Sequence, residues 1–291
     1  MNPRVLLSAT IVVAANLLLP AAKADERYFG YTYSAETLPK GESELELWTT
    51  DRRGKADGHY DAQDYRIELE HGFTDRLTVA SYVNFGSHHI RGLEPELEDR
   101  DRDFALEGAK LEFKYGILSP YKDGFGLALY AEPGWARINK RSGEKQTEYE
   151  LEFKLLMQKN FMDDRLVWAG NLVFEPEWER EVESEPGGER EVEWEKELKL
   201  EALTGLSYRV APRWFIGAEA RYSSVYPDWT DGLHREAYAV FAGPSIHYGG
   251  GKWWFTASYM PQLFGSPSPG GSRHLEEFEG RELRLIVGLD F

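Results

Sequence analysis

Residues Leu283 to Phe291 read Leu-Arg-Leu-Ile-Val-Gly-Leu-Asp-Phe. Side chains alternate across an extended chain. Leu283, Leu285, Val287, Leu289 and Phe291 therefore share one face, and Arg284, Ile286, Gly288 and Asp290 share the other. One apolar face, one mixed polar face and a carboxy-terminal aromatic is the pattern of a strand that closes a transmembrane β-barrel, with the apolar face toward lipid.

The rest of the chain fits that reading. Residues 1–24 have the form of a signal peptide: Arg4, an apolar run from Val5 to Leu19, then Ala22-Lys23-Ala24 as a cleavage site. Removing them leaves 267 residues with a net charge of −18. No later stretch is apolar for long enough to form a membrane-spanning helix. The mean hydropathy of −0.53 is still compatible with a barrel, because only alternate residues need to meet lipid. The absence of cysteine excludes disulfides and thiolate metal sites, and the acidic balance argues against nucleic acid as a partner.

Period-2 alternation marks twelve strands. They lie around Ser43–Thr50, Tyr65–Phe73, Leu77–Phe85, Ala109–Tyr115, Phe125–Trp135 and Tyr149–Met157. The remainder lie around Leu166–Phe174, Leu198–Tyr208, Trp214–Tyr222, Tyr238–Ile246, Trp253–Tyr259 and Leu283–Phe291. Connections near 74, 120, 163, 212 and 250 are compact, whereas those near 55, 95, 140, 186, 229 and 270 are longer or more polar. The fold class expected is all-β: a 12-stranded antiparallel transmembrane β-barrel with short periplasmic turns and longer extracellular loops. Residues 25–42 are expected to form a periplasmic N-terminal segment, and 87–102 a long charged loop. A soluble sandwich or lipocalin-like barrel is the competing fold, and would bury the apolar set instead.

If apolar residues face lipid, the interior receives Arg66, Glu68, Glu70, Lys110, Glu112, Lys114, Glu150, Glu152, Lys154, Glu219, Arg221 and Arg284. Both signs are present, so the lumen is either sealed by ion pairs or holds a narrow wet path. Between 175 and 201 stand twelve glutamates, all at odd positions, around a Pro186-Gly187-Gly188 turn. In a hairpin about that turn both rows fall on one face. Such a hairpin is too long for a span of about 9–11 residues and should project outward. Glu177, Glu179, Glu181, Glu191, Glu193 and Glu195 are the expected cation-attracting mouth. Carboxylates of this kind could hold a divalent ion or simply keep an extended hairpin hydrated. The acidic loop containing Glu94, Glu96, Glu98, Asp99, Asp101 and Asp103 lacks calcium-loop spacing.

Catalysis has one candidate, Ser87-His88-His89. A nucleophilic serine needs a base within reach and a group to orient it. Neighbours on an extended chain point apart, and no Gly-x-Ser-x-Gly elbow is present. No cofactor is expected.

The run from Glu26 to Gly41, Glu-Arg-Tyr-Phe-Gly-Tyr-Thr-Tyr-Ser-Ala-Glu-Thr-Leu-Pro-Lys-Gly, with Leu69-Glu70-His71-Gly72-Phe73-Thr74-Asp75-Arg76-Leu77, resembles an uncharacterised family of Gram-negative outer-membrane β-barrel proteins. The resemblance covers the whole mature chain and implies the barrel fold and export to the outer membrane. It implies no activity and no catalytic residues. Phe291 and the alternation before it, through Leu285, Val287 and Leu289, resemble the signal read by the barrel-insertion machinery. The partners expected are that machinery, outer-membrane lipids and lipopolysaccharide.

Three functions are open. The first is a narrow passive channel with an acidic mouth that favours small cationic or neutral solutes. The second is a closed surface barrel whose hairpin binds a partner or divalent cations, and the third is a lipid-modifying enzyme at the rim.

Overall fold

The structure is a computed structural model, and it describes residues 27–291 except 57, 94, 96, 185–189 and 267–270. Of 181–184, 190 and 191 only the backbone is described, and residues 1–24, expected to be a signal peptide, lie outside the described residues. Twelve strands among these residues form a closed antiparallel barrel. They are β1 (Ser43–Arg53), β2 (His59–Thr74), β3 (Leu77–Arg91), β4 (Arg100–Leu118), β5 (Gly126–Ile138), β6 (Lys145–Phe161), β7 (Leu166–Ser184), β8 (Arg190–Ala211), β9 (Trp214–Pro227), β10 (Ala237–Gly249), β11 (Trp253–Gly265) and β12 (Arg281–Asp290). Each pairs with its sequence neighbours, and β12 closes the ring on β1 with Leu47 opposite Val287 and Trp48 opposite Ile286. Beyond the last ladder pair, Phe291 and Ser43 exchange backbone hydrogen bonds. Both ends of the barrel sequence therefore sit at the rim that carries the compact connections 75–76, 119–125, 162–165, 212–213 and 250–252.

The periodicity sets the faces. Leu47, Ile67, Leu69, Leu129, Leu172, Leu206, Ile216, Leu283, Leu285, Val287 and Leu289 all point outward and are exposed. The alternate positions Glu46, Glu68, Glu70, Glu112 and Glu152 are buried inside. A soluble sandwich would show the opposite partition. No helix of the described residues is long and apolar enough to cross a membrane; the apolar surface here belongs to strands.

Two expectations are corrected. Residues 87–102 are not one loop: β3 continues to Arg91 and β4 begins at Arg100, with His89 opposite Asp101. Loss of hydrophobic alternation ends the lipid-facing band but not backbone pairing, which charged side chains do not prevent. The second correction is larger. Of the segment 25–42, expected outside the barrel, the described residues from 27 onward do not hang outside it. Tyr28, Phe29, Tyr31, Tyr33, Ala35 and Leu38 are buried, and residues 27–38 run through the lumen. From β1 the chain enters at the compact rim, where Leu38 N–H donates to Thr78 Oγ1 at 2.8 Å. It climbs past Gln158, which accepts from Ala35 N–H, and Asn171, which accepts from Tyr33 N–H. It then bends at 29–32 and returns, so that Tyr28 stacks edge-on with Phe215 and His247 near the rim again.

Candidate functional site

The plug formed by residues 27–38 has little regular structure, so its peptide groups depend on the wall for partners. Glu219 supplies most of them. Its carboxylate accepts from Gly30 N–H (2.9 Å), Tyr31 N–H (2.9 Å), Thr32 N–H (2.8 Å) and the Ser258 hydroxyl (2.6 Å). Asn171 answers Tyr33 twice, accepting from its N–H and donating to its carbonyl at 2.9 Å. Arg284 donates to Gly30 O at 3.0 Å. Arg27 anchors the returning end, donating to Glu46 and Glu70 at 2.6 Å each, with Glu68 at 3.8 Å. Arg27 thereby offsets the mutual repulsion of three buried carboxylates whose oxygens lie within 4.8 Å of one another, with Arg66 at 3.4 Å from Glu68 as a second cation.

Apolar packing completes the plug. Tyr28 and Phe29 join Val167, Ala169 and Phe215, while Tyr33 and Ala35 join Trp48, Ala128, Tyr130, Leu156, Trp254 and Ile286. Two glycines make room for it. A Cβ on Gly205 would lie 2.6 Å from the Phe29 ring, and one on Gly72 would lie 2.1 Å from Pro39 O. Sequence reasoning missed the segment. The available signal was the set of inward positions at the compact end, Ala128, Leu156, Val167, Phe215 and Ile286, which are apolar where a wet lumen would be polar.

Above the plug opens a cavity of about 820 Å³ whose lining includes Tyr31, Tyr33 and Trp48 at the level of the plug. Ten basic and eighteen acidic side chains line it, a net formal charge of −8. Charge is largely sorted by strand, although Asp64 of β2 and Glu282 of β12 also line the cavity, paired with Arg52 and Arg221. Glu132, Glu148, Glu150, Glu152, Glu175, Glu177, Glu195, Glu197 and Glu201 come from β5–β8, and Arg52, Arg66 and Arg284 from β1, β2 and β12. In the ring order β1 stands opposite β7, so the two groups face each other across the lumen. Lysines temper the acidic side. Lys110 reaches Glu150 at 2.7 Å and Glu132 at 3.0 Å, Lys199 reaches Glu177 at 2.8 Å, and Lys154 reaches Glu152 at 3.0 Å.

Of the residues expected inside, Arg66, Lys110, Glu150, Glu152, Lys154, Arg221 and Arg284 line this cavity. Glu68, Glu70, Glu112, Lys114 and Glu219 are buried on the inner face but are not part of its lining. Of the expected mouth, Glu177, Glu179 and Glu195 line the cavity, and Glu193 is exposed. The side chains of Glu181 and Glu191 lie outside the described residues. The hairpin register pairs Glu177 with Glu197, Glu179 with Glu195 and Glu181 with Glu193. Flanking ladders end near Glu179 on the β6 side and Glu197 on the β9 side, so among the described residues 180–184 and 190–194 pair only with each other. Glu148, Glu150 and Glu177 bring carboxylate oxygens within 4.8 Å of one another, with Lys110 and Lys199 as neighbours. They form one of two carboxylate trios among the described residues whose spacing could hold a cation, the other being Glu46, Glu68 and Glu70.

The wide-loop end is drawn together by Arg52. It donates to both oxygens of Asp64 (2.9 and 2.8 Å), to Glu279 (2.7 Å) and to Lys140 O (2.6 Å). Glu279, in the 266–280 connection, is held well below the usual carboxylate range by Lys55 and Arg52. Lys55, in the 54–58 connection, is buried, and burial pulls its ammonium down to about 8. Phe278 folds inward against the cluster of Tyr31, Phe241 and Met260. At the catalytic candidate, His88 Nε2 lies 3.0 Å from Lys140 O and His89 Nδ1 lies 2.7 Å from Asp101. Among the described residues no hydrogen bond joins Ser87 to a histidine.

The barrel is similar to the COG4313 outer membrane channel from Pseudomonas putida F1, with 15% identity, a TM-score of 0.61, and coverage of 88% of this chain and 98% of that one. It is also similar to the β domain of the Bordetella autotransporter BrkA, with 10% identity, a TM-score of 0.58, and coverage of 87% and 100%. At such identities the likeness is one of fold, that of outer-membrane β-barrels. No curated protein matches the sequence. Residues 21–291 match the Family of unknown function (DUF6662), and the chain, barrel and plug together, belongs to that family.

Proposed function

We propose that the protein is an outer-membrane channel for small solutes, with an acidic outer vestibule and an N-terminal plug that sets its conductance. The cavity of about 820 Å³ with its net charge of −8 carries this reading. A water-filled concavity walled by low-dielectric protein concentrates field lines, so fixed negative charge enriches cations at the mouth. Neutral solutes enter without repulsion and simple anions are disfavoured. The long-loop rim and the hairpin face outward, and the compact turns and the plug entrance face the periplasm. Leu285, Val287, Leu289 and Phe291 serve as the insertion signal, and the exposed apolar band meets lipid.

Planar-bilayer recording tests the proposal. The folded protein should show small cation-preferring steps, and a variant lacking residues 27–36 should show steps several-fold larger. A deletion variant that folds and stays silent would overturn it. The stretch of hairpin beyond the flanking ladders, 180–184 with 190–194, would then favour the second reading, a surface barrel whose acidic hairpin binds a partner or divalent cations.

A further inference from the structure

Three neighbouring strands place Arg284, Trp48 and Arg66 side by side on one wall of the vestibule. Trp48 stands opposite Ile286 of β12 and opposite Arg66 of β2. The guanidinium carbon of Arg66 lies 4.5 Å from the Trp48 ring centroid and that of Arg284 lies 5.3 Å from it. Arg284 also sits 4.0 Å over Tyr31 of the plug. Two guanidiniums thus flank one indole, and all four residues line the cavity.

These arginines are less committed to carboxylates than several other basic groups of the lumen. Arg52 has Asp64 and Glu279, Arg221 has Glu282, and Lys110 has two glutamates. Arg284 donates only to neutral acceptors, Thr50 Oγ1 at 2.9 Å and Gly30 O at 3.0 Å, and no carboxylate lies within ion-pair distance of it among the described residues. Arg66 has one long contact to Glu68, 3.4 Å, and Glu68 is shared with Arg27. A guanidinium carries five N–H donors, so both retain donors for a planar acceptor, and carboxylate is the acceptor that arginine pairs recognise best. Across the lumen stand Glu150, Glu152, Glu175 and Glu177.

A simple anion must pass a vestibule of net charge −8 to reach the arginines. A simple cation is drawn in but finds its own charge facing it there. A zwitterion carries no net charge past the mouth and satisfies both walls. We propose that the vestibule takes a zwitterionic solute, its carboxylate held by Arg66 and Arg284, its apolar stem on Trp48 and Tyr31, and its ammonium toward the glutamates of β6 and β7. The inference deepens the channel reading by naming a solute class, but the binding itself requires only the cavity.

Calorimetric titration of the folded protein in detergent tests it with three probes of matched length: 6-aminohexanoate, hexanoate and hexylammonium. The zwitterion should bind at least tenfold more tightly than either singly charged analogue. Arg284→Gln should remove that advantage. Because Arg284 also holds the plug, Arg66→Gln, which leaves the Gly30 contact in place, provides the second variant and should act alike. Folding of each is checked by compact migration on unheated gels. Equal binding of hexylammonium and 6-aminohexanoate, or an advantage that survives both substitutions, would overturn the inference. Bilayer recording stands apart from this. Silence with the zwitterion still bound removes the channel reading and supports the subsite, and conduction without zwitterion binding does the reverse.

Discussion

Glu219 uses its charge on peptide groups rather than on a cation. Three consecutive N–H donors and a serine hydroxyl converge on one carboxylate, and bonds of this charge-assisted kind contribute about 1.5–3 kcal/mol each. Glu219→Gln removes the charge and one acceptor oxygen and turns an NH2 group toward backbone donors. The expected result is a plug loosened by about 3 kcal/mol or more, read as a rise in single-channel conductance with the barrel still folded; unchanged conductance would count against the role of Glu219 as the keystone. The pair Lys55 and Glu279 makes a pH prediction for the outer connections. Below about pH 8 Lys55 is charged whether or not the connections are packed, and its burial opposes packing in full. Between about 8 and its ordinary 10.5 the unpacked state binds a proton that the packed state does not, so packing strengthens as pH rises through that window. Glu279 works on the other side: its depressed value stabilises the packed state above the ordinary carboxylate range, and that stability is lost as pH falls through the folded value. Hydrogen-exchange protection at Ala56 and Gly280, whose N–H groups bond Leu275 O and Gly54 O, should increase from pH 8 to 10 after correction for intrinsic rates. Lys55→Met should flatten that rise.

The β7–β8 hairpin shows at the level of elements what sequence patterning reveals and what it hides. Its odd-numbered glutamates fall in register, Glu177 on Glu197, Glu179 on Glu195 and Glu181 on Glu193, as the alternation and the Pro-Gly-Gly turn imply. Like charges directly opposite destabilise a ladder by up to about 1 kcal/mol per pair. Glu193→Gln with Glu195→Gln should therefore slow exchange of the hairpin amides and, in the proposed channel, lower cation preference, a combination that a merely structural row of charges does not produce. Strand identity was legible because lipid imposes period 2 on every strand, and strand ends were less so. Residues 87–91 and 100–102 pair although their pattern is charged, since nothing above the lipid band requires an apolar face. The plug was illegible for a different reason. Its main chain is satisfied by Glu219, Asn171, Gln158 and Thr78, side chains from four distant strands, and no local periodicity encodes such partners. Likewise the individual charges of the lumen could be read from β-strand parity, whereas the opposition of β1, β2 and β12 to β6 and β7 follows only once the ring is closed.

For the molecule as a whole, the proposed channel can draw its selectivity from the wide vestibule or from the seam beside the plug, and ionic strength separates the two. The net charge of −8 is spread over the walls of a cavity of about 820 Å³, so its effect on a passing ion acts through solvent and is screened. The Debye length is about 10 Å at 0.1 M salt and about 3 Å at 1 M. At the plug, by contrast, Arg27 meets Glu46 and Glu70 at 2.6 Å in a buried setting, where added salt has little access. Removing residues 27–36 takes that second region away and leaves the vestibule. If the vestibule selects, the cation-to-anion permeability ratio of the deletion variant, taken from reversal potentials, should be well above one at 0.1 M and fall several-fold by 1 M. The intact protein should follow the same salt trend with smaller steps. A ratio that is independent of salt in the intact protein and near one after deletion would instead place selection at the plug. In that case the acidic walls would serve to gather solute, and residues 27–38 would decide what passes.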